Sequence, residues 1–207
     1  MLDAYRHGIF PWPCRWADQW FVGWHSPDPR AILPLDDVRI PKRLQRKLRA
    51  GHFRFRWNSC FDSVLQHCAS VGDRKENAWL CPDLLDAISS LHRSGDAHCI
   101  EVYDRDGTLC GGLYGIAVGA AFSAESMFHL QSDASKAAVC GLVAVLRHAG
   151  FELMDIQQTS PHLLAFGAVE IDRCDYLVAL QRALGKQPSW PATTEHPIPI
   201  DRIGAED

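Results

Sequence analysis

The sequence predicts an α+β domain with helices packed on a mostly antiparallel sheet, and three observations support this prediction. An amphipathic helix over 82–95 has a proline at its start and a glycine at its end. The apolar segments 98–103 and 108–118 flank an Asp-Gly turn, which indicates a hairpin, and 119–128 supplies a third strand. Further elements follow: a helix over 133–149, a strand over 151–157, and helices over 160–166 and 172–184. This order is typical of the α+β class.

The N-terminal part has a different composition. Residues 1–35 are rich in proline and tryptophan, and because proline at this density excludes a long helix, we expect a structured arm. The segments that follow read as a basic helix (41–50), a strand (53–57) and a helix (58–69). The predicted organisation is an N-terminal arm or small domain over 1–60, a main domain over 61–190 and a flexible tail over 191–207.

The overall composition favours a soluble cytoplasmic protein. Of its 207 residues, 47% are apolar and 22% are charged, and no apolar run approaches the length of a membrane span. The segment MLDAYRHGIFPW lacks the layout of a secretory signal. The eight cysteines include no CxxC pair, which predicts reduced, mostly buried thiols rather than disulfides or a structural zinc site.

Charge is unevenly distributed along the chain. The net charge is −4, yet the basic segment 39–57 contains eight Lys or Arg and no acidic residue. A basic patch on an acidic protein is a candidate surface for phosphate groups. The alternative is a solvated helix face without a partner, and charge alone leaves both open.

Acidic and amide side chains occur within two of the predicted strands. By strand alternation, Asp155 and Gln157 share one face of 151–157, and Ser123 and Glu125 share one face of 119–128. Because burying an unpartnered carboxylate is costly, two such strands together predict a polar cleft. The alternative is that the two carboxylates lie at solvated strand ends.

The common catalytic signatures are absent from the sequence. It contains no GxSxG, Walker loop, GxGxxG or HExxH motif, so neither a metal nor a cofactor is expected. Ser126 and His129 are close in sequence, but no acidic residue is placed to orient the histidine, which argues against a covalent Ser–His mechanism.

Several long segments together resemble the leucyl/phenylalanyl-tRNA–protein transferase family. They run in order from residue 4 to about 185: AYRHGIFPW (4–12), SPDPRAIL (26–33), GGLYGIAVGAAFSAESMF (111–128), DASKAA (133–138) and DIQ with HLLAFGAVEI (155–171). The resemblance implies a GNAT-like acyltransferase domain, over 61–190, preceded by a small and truncated N-terminal domain.

The same resemblance implies an activity. The expected reaction moves Leu, Phe or Met from charged tRNA to a protein whose N-terminal residue is Arg or Lys, which marks that protein for N-degron proteolysis. The donor ester is already activated, so the enzyme needs neither ATP nor a covalent intermediate. The enzyme is expected to be a monomer. It must place a neutral amine against the ester, accept a proton and stabilise an oxyanion.

Site residues follow from the resemblance by matching position. Asp155 is expected to orient the amine and relay its proton, and Gln157 to position or polarise the reacting groups. Glu125 and Ser126 are assigned to the cleft for the aminoacyl-adenosine. Expected contacts with the adenosine are Trp12 and Trp79. Expected contacts with the apolar donor side chain are Leu113, Phe122, Val139, Leu142 and Leu146. Expected contacts with tRNA phosphates are Lys42, Arg43, Arg46 and Lys47.

The sequence departs from the family pattern at several positions, among them His25, Asp133 and Ser160, which leaves donor preference open. One alternative is a GNAT enzyme with an acyl-CoA donor, although no Gly-rich pyrophosphate loop precedes the 133–149 helix. A second is a catalytically impaired relative that only binds the tRNA end.

Overall fold

The computed structural model describes residues 1–17, 19–71 and 81–190. The predicted contact Trp79 and the predicted tail 191–207 lie outside the described residues. The strands are β1 (Phe10–Trp16), β2 (Gln19–His25), β3 (Arg30–Ile32), β4 (Arg54–Trp57), β5 (Ala97–Tyr103), β6 (Leu109–Val118), β7 (Ala121–His129), β8 (Leu153–Gln157) and β9 (Val169–Ile171). The helices are α1 (Leu2–Arg6), α2 (Lys42–Arg49), α3 (Phe61–Ser70), α4 (Pro82–Ser94), α5 (Ala134–Ala149), α6 (Pro161–Leu164) and α7 (Arg173–Leu184), with a 3₁₀ turn at Leu35–Asp37.

A seven-stranded sheet forms the centre of the fold. Its strand order is β4-β5-β6-β7-β8-β3-β9, and neighbouring strands are antiparallel except for the parallel pair β7 and β8. The predicted α+β class with a mostly antiparallel sheet is therefore confirmed. The parallel pair arises because α5 carries the chain across the sheet between β7 and β8.

Local sequence explains where the main helices begin and end. Helix α4 starts with a proline at its first position, and the chain leaves it at Gly95 with a φ of 84°. Helix α5 is rich in small residues and lies close to the sheet. A Cβ built on Gly141 would be 2.7 Å from the ring of Phe55 in β4, so only glycine allows this approach.

Helices cover both faces of the sheet and bury two apolar clusters. One cluster contains most of α5 together with residues such as Ile100 and Val102 of β5. The other contains residues of α1, α3, α4 and α7 together with Cys99 of the same strand. Alternation along β5 thus supplies both cores, as a sheet covered on two faces requires. Among the described helices, none combines the length and apolar character that crossing a membrane requires.

The N-terminal residues contribute to the main sheet as well as to an arm. Strands β1 and β2 form a separate two-stranded hairpin. Strands β3 and β4, which precede the predicted domain boundary at residue 60, pair within the seven-stranded sheet. The sheet therefore does not follow that boundary, and the division into 1–60 and 61–190 stays a prediction.

Candidate active site

A cavity opens where the two parallel strands separate. The pairing of β7 with β8 covers only Ala121–Ser123 and Leu153–Asp155, and each strand continues beyond it. A cavity of about 280 Å³ occupies the gap. Its walls are Ala124–Met127 from β7, Ile156–Thr159 from β8 and the loop after it, and Trp12, Leu113, Val139, Met154 and Leu163. A mostly apolar cavity with a few polar groups is the usual form of a small-ligand site.

Irregularities in the two strands aim polar residues at this cavity. In the register of β7 with β6, Ala124 faces Gly115 and Ser126 faces Tyr114, so Glu125 is the extra residue of a bulge. In β8, Gln157 adopts a φ of 60°, which is uncommon for a residue with a side chain. Simple alternation therefore does not describe either strand at the site.

Asp155 is fully enclosed and ion-paired. Arg30 Nε donates to Oδ1 of Asp155 at 2.8 Å, and Arg30 Nη2 donates to Oδ2 at 2.6 Å. The exposed fractions of the two residues are 1% and 2%. Such a bidentate pair has fixed geometry. In a low-dielectric surrounding, each charge is stabilised by the other, and removing one would leave a buried charge without compensation.

Three further donors complete the environment of the Asp155 carboxylate. The Tyr176 hydroxyl donates at 3.0 Å, the Ser123 hydroxyl at 3.3 Å, and the backbone N–H of Gln157 at 3.0 Å. Both oxygens are thus engaged by protein groups. The bond from the Gln157 N–H stabilises the left-handed backbone conformation of that residue, so Asp155 sets the direction of the Gln157 side chain.

The Gln157 amide connects the enclosed network to the cavity wall. Its Nε2 donates to the Ser123 hydroxyl at 2.8 Å and to Oε1 of Glu125 at 3.4 Å. With the nitrogen used in this way, the carbonyl oxygen Oε1 is the group that can accept from a ligand. The predicted proximity of Asp155, Gln157 and Glu125 is present, but Asp155 does not line the cavity.

The guanidinium of Arg30 is held from several sides. Its Cζ lies 4.6 Å from the ring centroid of Phe10 and 4.4 Å from that of Tyr176, and Nη1 donates to the backbone oxygen of Gly8 at 3.0 Å. Residues of the N-terminal segment and of α7 therefore enclose the same cation that orients Asp155. This arrangement ties the N-terminal segment to the site.

Glu125 is half-buried, and its pKa is strongly perturbed. Burial raises the pKa of this carboxyl to about 8, and the nearby Asp155 carboxylate adds to the rise, against the opposing effects of the Ser123 and Tyr5 hydroxyls. At neutral pH the group is therefore mostly protonated. It can accept from a donor on a ligand and change charge in the slightly alkaline range.

Helix α2 presents most of its basic side chains to solvent. Lys42, Arg43 and Arg46 are exposed. Lys47 instead donates to Oδ2 of Asp133 at 2.6 Å and joins α2 to the start of α5. Of the four predicted phosphate contacts, three are thus exposed cations and one is engaged in an ion pair. Within the described residues, no group of three His, Cys, Asp or Glu side chains is arranged as metal ligands.

Comparison with known families decides what kind of protein carries this site. The family model described as "Leucyl/phenylalanyl-tRNA protein transferase" matches residues 32–181, and the model of its N-terminal domain matches residues 1–28. The chain belongs to the leucyl/phenylalanyl-tRNA protein transferase family. The resemblance stated from the sequence is thereby confirmed.

Relatives of the same name align over most of the chain. The protein of Nitratidesulfovibrio vulgaris (strain DP4) is 44% identical over 91% of this chain and 79% of its own length. The protein of Alkalilimnicola ehrlichii is 44% identical over 88% of this chain and 69% of its own length. The protein of Chlorobaculum tepidum is 42% identical over 92% of this chain and 96% of its own length. Among solved structures, "The structure of L-PGS from Bacillus licheniformis" is similar with a TM-score of 0.49 and 12% identity, over 90% of this chain and 70% of that chain.

The structure brings most of the predicted substrate contacts of this family together. Residues on the cavity wall are Trp12, Leu113, Glu125, Ser126, Val139 and Gln157. Three predicted contacts, Phe122, Leu142 and Leu146, are instead fully buried in the cluster that contains α5 and do not line the cavity. Their side chains fill the core, which a position-by-position match does not reveal.

Three residues of the site, Tyr5, Arg30 and Tyr176, were not identified from the sequence. The role of Ser123 as a hydrogen-bond donor to Asp155 was also missed. Arg30 lies in the segment SPDPRAIL and Tyr5 in AYRHGIFPW, both of which were noted only for their resemblance. The sequence did contain one clue to Arg30: a carboxylate in an apolar strand, such as Asp155, needs a cation or several hydrogen-bond donors nearby.

Proposed function

We propose that this protein transfers leucine, phenylalanine or methionine from charged tRNA to the α-amine of a protein that begins with Arg or Lys. The observation that carries this proposal is the Gln157 amide, fixed by a buried ion pair, at the wall of an apolar cavity in a chain of this family. The product would carry an N-terminal residue suited to N-degron proteolysis.

We propose a GNAT-like architecture for the catalytic domain. Its support is the sheet itself, which has one parallel pair, β7 with β8, within an otherwise antiparallel arrangement. The two strands pair over three residues each and then separate, which creates the cavity between them.

The donor occupies the cavity. Leu113 and Val139 belong to its apolar part, which accommodates an unbranched-Cβ apolar side chain and discriminates only modestly per methylene. Trp12 contributes an aromatic face for the terminal adenine, since base–aromatic stacking is favourable and tolerant of geometry. Glu125 lies between these groups and accepts a hydrogen bond from the donor amino group.

The acceptor amine lies against Gln157. Its nitrogen attacks the ester carbonyl carbon, the C–N bond forms, and the C–O bond to the ribose breaks. The Gln157 carbonyl oxygen holds the N–H of the attacking amine in line, and the leaving ribose oxygen takes the proton. Asp155 is a positioning residue in this scheme, because its carboxylate is occupied by Arg30 and Tyr176.

The exposed cations of α2 bind the phosphates of the acceptor stem. Lys42, Arg43 and Arg46 extend from one short helix without an acidic residue in its first turn. Such contacts make tRNA binding sensitive to salt. Lys47 contributes less directly, since it pairs with Asp133. A cytoplasmic, monomeric protein fits this function and remains our expectation.

A transfer assay tests the proposed function. The purified protein is incubated with tRNA charged with radiolabelled Leu, Phe or Met and with a protein that begins with Arg, and label in acid-precipitable protein is counted. Transfer with at least one donor is expected. Matched reactions with a Met-initiated protein and with radiolabelled acetyl-CoA serve as controls. Acylation from the CoA thioester without transfer from tRNA would refute the proposal.

A further inference from the structure

Glu170, at the outer edge of the sheet, is an exposed carboxylate that the donor site does not use. It lies in β9 directly opposite Ala31 of β3, and Ala31 in turn lies opposite Gln157 of β8. The backbones of the three residues are therefore neighbours across the sheet, and the register of β3 with β8 shifts between Ala31 and Ile32. Among the described residues, no Lys, Arg or His side chain forms an ion pair with Glu170.

Thr159 connects Glu170 to the cavity. Its hydroxyl donates to Oε1 of Glu170 at 2.9 Å, and Thr159 itself is part of the cavity wall. The carboxylate is thus held one hydrogen bond away from the rim of the cavity. The other carboxyl at the cavity, Glu125, lies on the wall, accepts a hydrogen bond from Gln157, and is assigned to the donor amino group.

The backbones of Gln157 and Glu170 are separated by a distance that only a long side chain can span. Two strand spacings of about 4.8 Å separate their backbones by about 10 Å. In an extended Arg or Lys residue the α-nitrogen and the charged end are about 7 Å apart, with bonds of about 1.5 Å. With its amine at the Gln157 amide, a side chain of this length can extend towards the Glu170 carboxylate, whereas a short side chain cannot.

We propose that Glu170, held by Thr159, binds the cationic side chain of the acceptor's first residue and so determines the preference for N-terminal Arg or Lys. This inference rests on the proposed function and assigns its acceptor specificity to one carboxylate. Glu170 is a binding residue for the side chain and has no part in the proton transfer. A charge-assisted contact between guanidinium or ammonium and carboxylate is stronger than a neutral hydrogen bond, which supplies the discrimination.

The test compares acceptor peptides that differ only in the charge of their first side chain. Peptides beginning with Arg and with citrulline, its neutral isostere, are titrated against wild-type protein, Glu170→Gln and the control Glu152→Gln. Glu152 is an exposed acid paired with Lys186, away from the cavity lining, so the control makes the same chemical change elsewhere.

We expect Glu170→Gln to lower kcat/KM for the Arg peptide about tenfold, mainly through KM. Its kcat/KM for the citrulline peptide and the KM for charged tRNA should stay as in the wild type, as should all values for Glu152→Gln. An unchanged Arg-to-citrulline ratio, or an equal loss on both peptides, would overturn the proposal.

Direct binding separates this inference from the proposed function. If the wild type transfers to no peptide, the proposed function fails, and fluorescence titration of labelled Arg and citrulline peptides still tests the site. Weaker binding of the Arg peptide alone to Glu170→Gln supports the inference. Equal binding of both peptides to the wild type contradicts it.

Discussion

Replacing Asp155 by asparagine tests whether this carboxylate is a structural partner of the site. The substitution keeps the size of the side chain but leaves the Arg30 guanidinium, 1% exposed, without its counter-charge. Two of the five bonds to the carboxylate come from that guanidinium, at 2.6 and 2.8 Å. Removing one partner of a buried ion pair costs about 3–5 kcal/mol. For a chain of this size that corresponds to a fall in Tm of about 6–20 °C.

Thermal unfolding followed by circular dichroism measures this effect. The exposed Asp36→Asn variant is the matched control and should unfold within about 2 °C of the wild type. The double variant Arg30→Met with Asp155→Leu removes both charges and should recover most of the stability. It should not recover transfer, because the Gln157 N–H loses its acceptor. If Asp155→Asn unfolds within 2 °C of the wild type, the reasoning about the buried pair is wrong.

Three other predictions concern binding and pH. Trp12→Ala should raise the KM for charged tRNA about tenfold by removing the stacking surface, while Trp12→Phe keeps most of the affinity; steady-state kinetics checks this. Arg43→Ala should weaken tRNA binding and reduce the slope of log K against log salt by about 0.7–0.9, whereas an unchanged slope would exclude a phosphate contact. Because the pKa of Glu125 is raised to about 8, its contribution to stability is full below about pH 4.5 and declines up to pH 8. Urea titrations from pH 5 to 8 should show this decline, and Glu125→Gln should remove it.

The sequence was sufficient for the central elements because their signals are local. The proline and glycine that delimit α4, the Asp-Gly turn between β5 and β6 and the small residues of α5 each determine structure within a few residues. The placement of β3 beside β8 depends instead on contacts between residues more than a hundred positions apart. No local pattern carries that information.

The same distinction explains the candidate site. Asp155, Gln157 and Glu125 stood out because polar groups in apolar strands require an explanation. Their true partners were not found, because Arg30 reaches Asp155 across 125 positions of sequence. Simple strand alternation also could not predict the bulge at Glu125 or the left-handed backbone of Gln157. For that reason it placed Asp155 on the cleft wall together with Gln157.

The central claim is that the Gln157 amide holds the acceptor amine against the ester. The most direct measurement is single-turnover transfer of leucine from charged tRNA to an Arg-initiated peptide by the wild type and by Gln157→Ala. Our account predicts a rate at least about 100-fold lower in the variant, with tRNA affinity and Tm close to those of the wild type. A variant that transfers within threefold of the wild-type rate would contradict it.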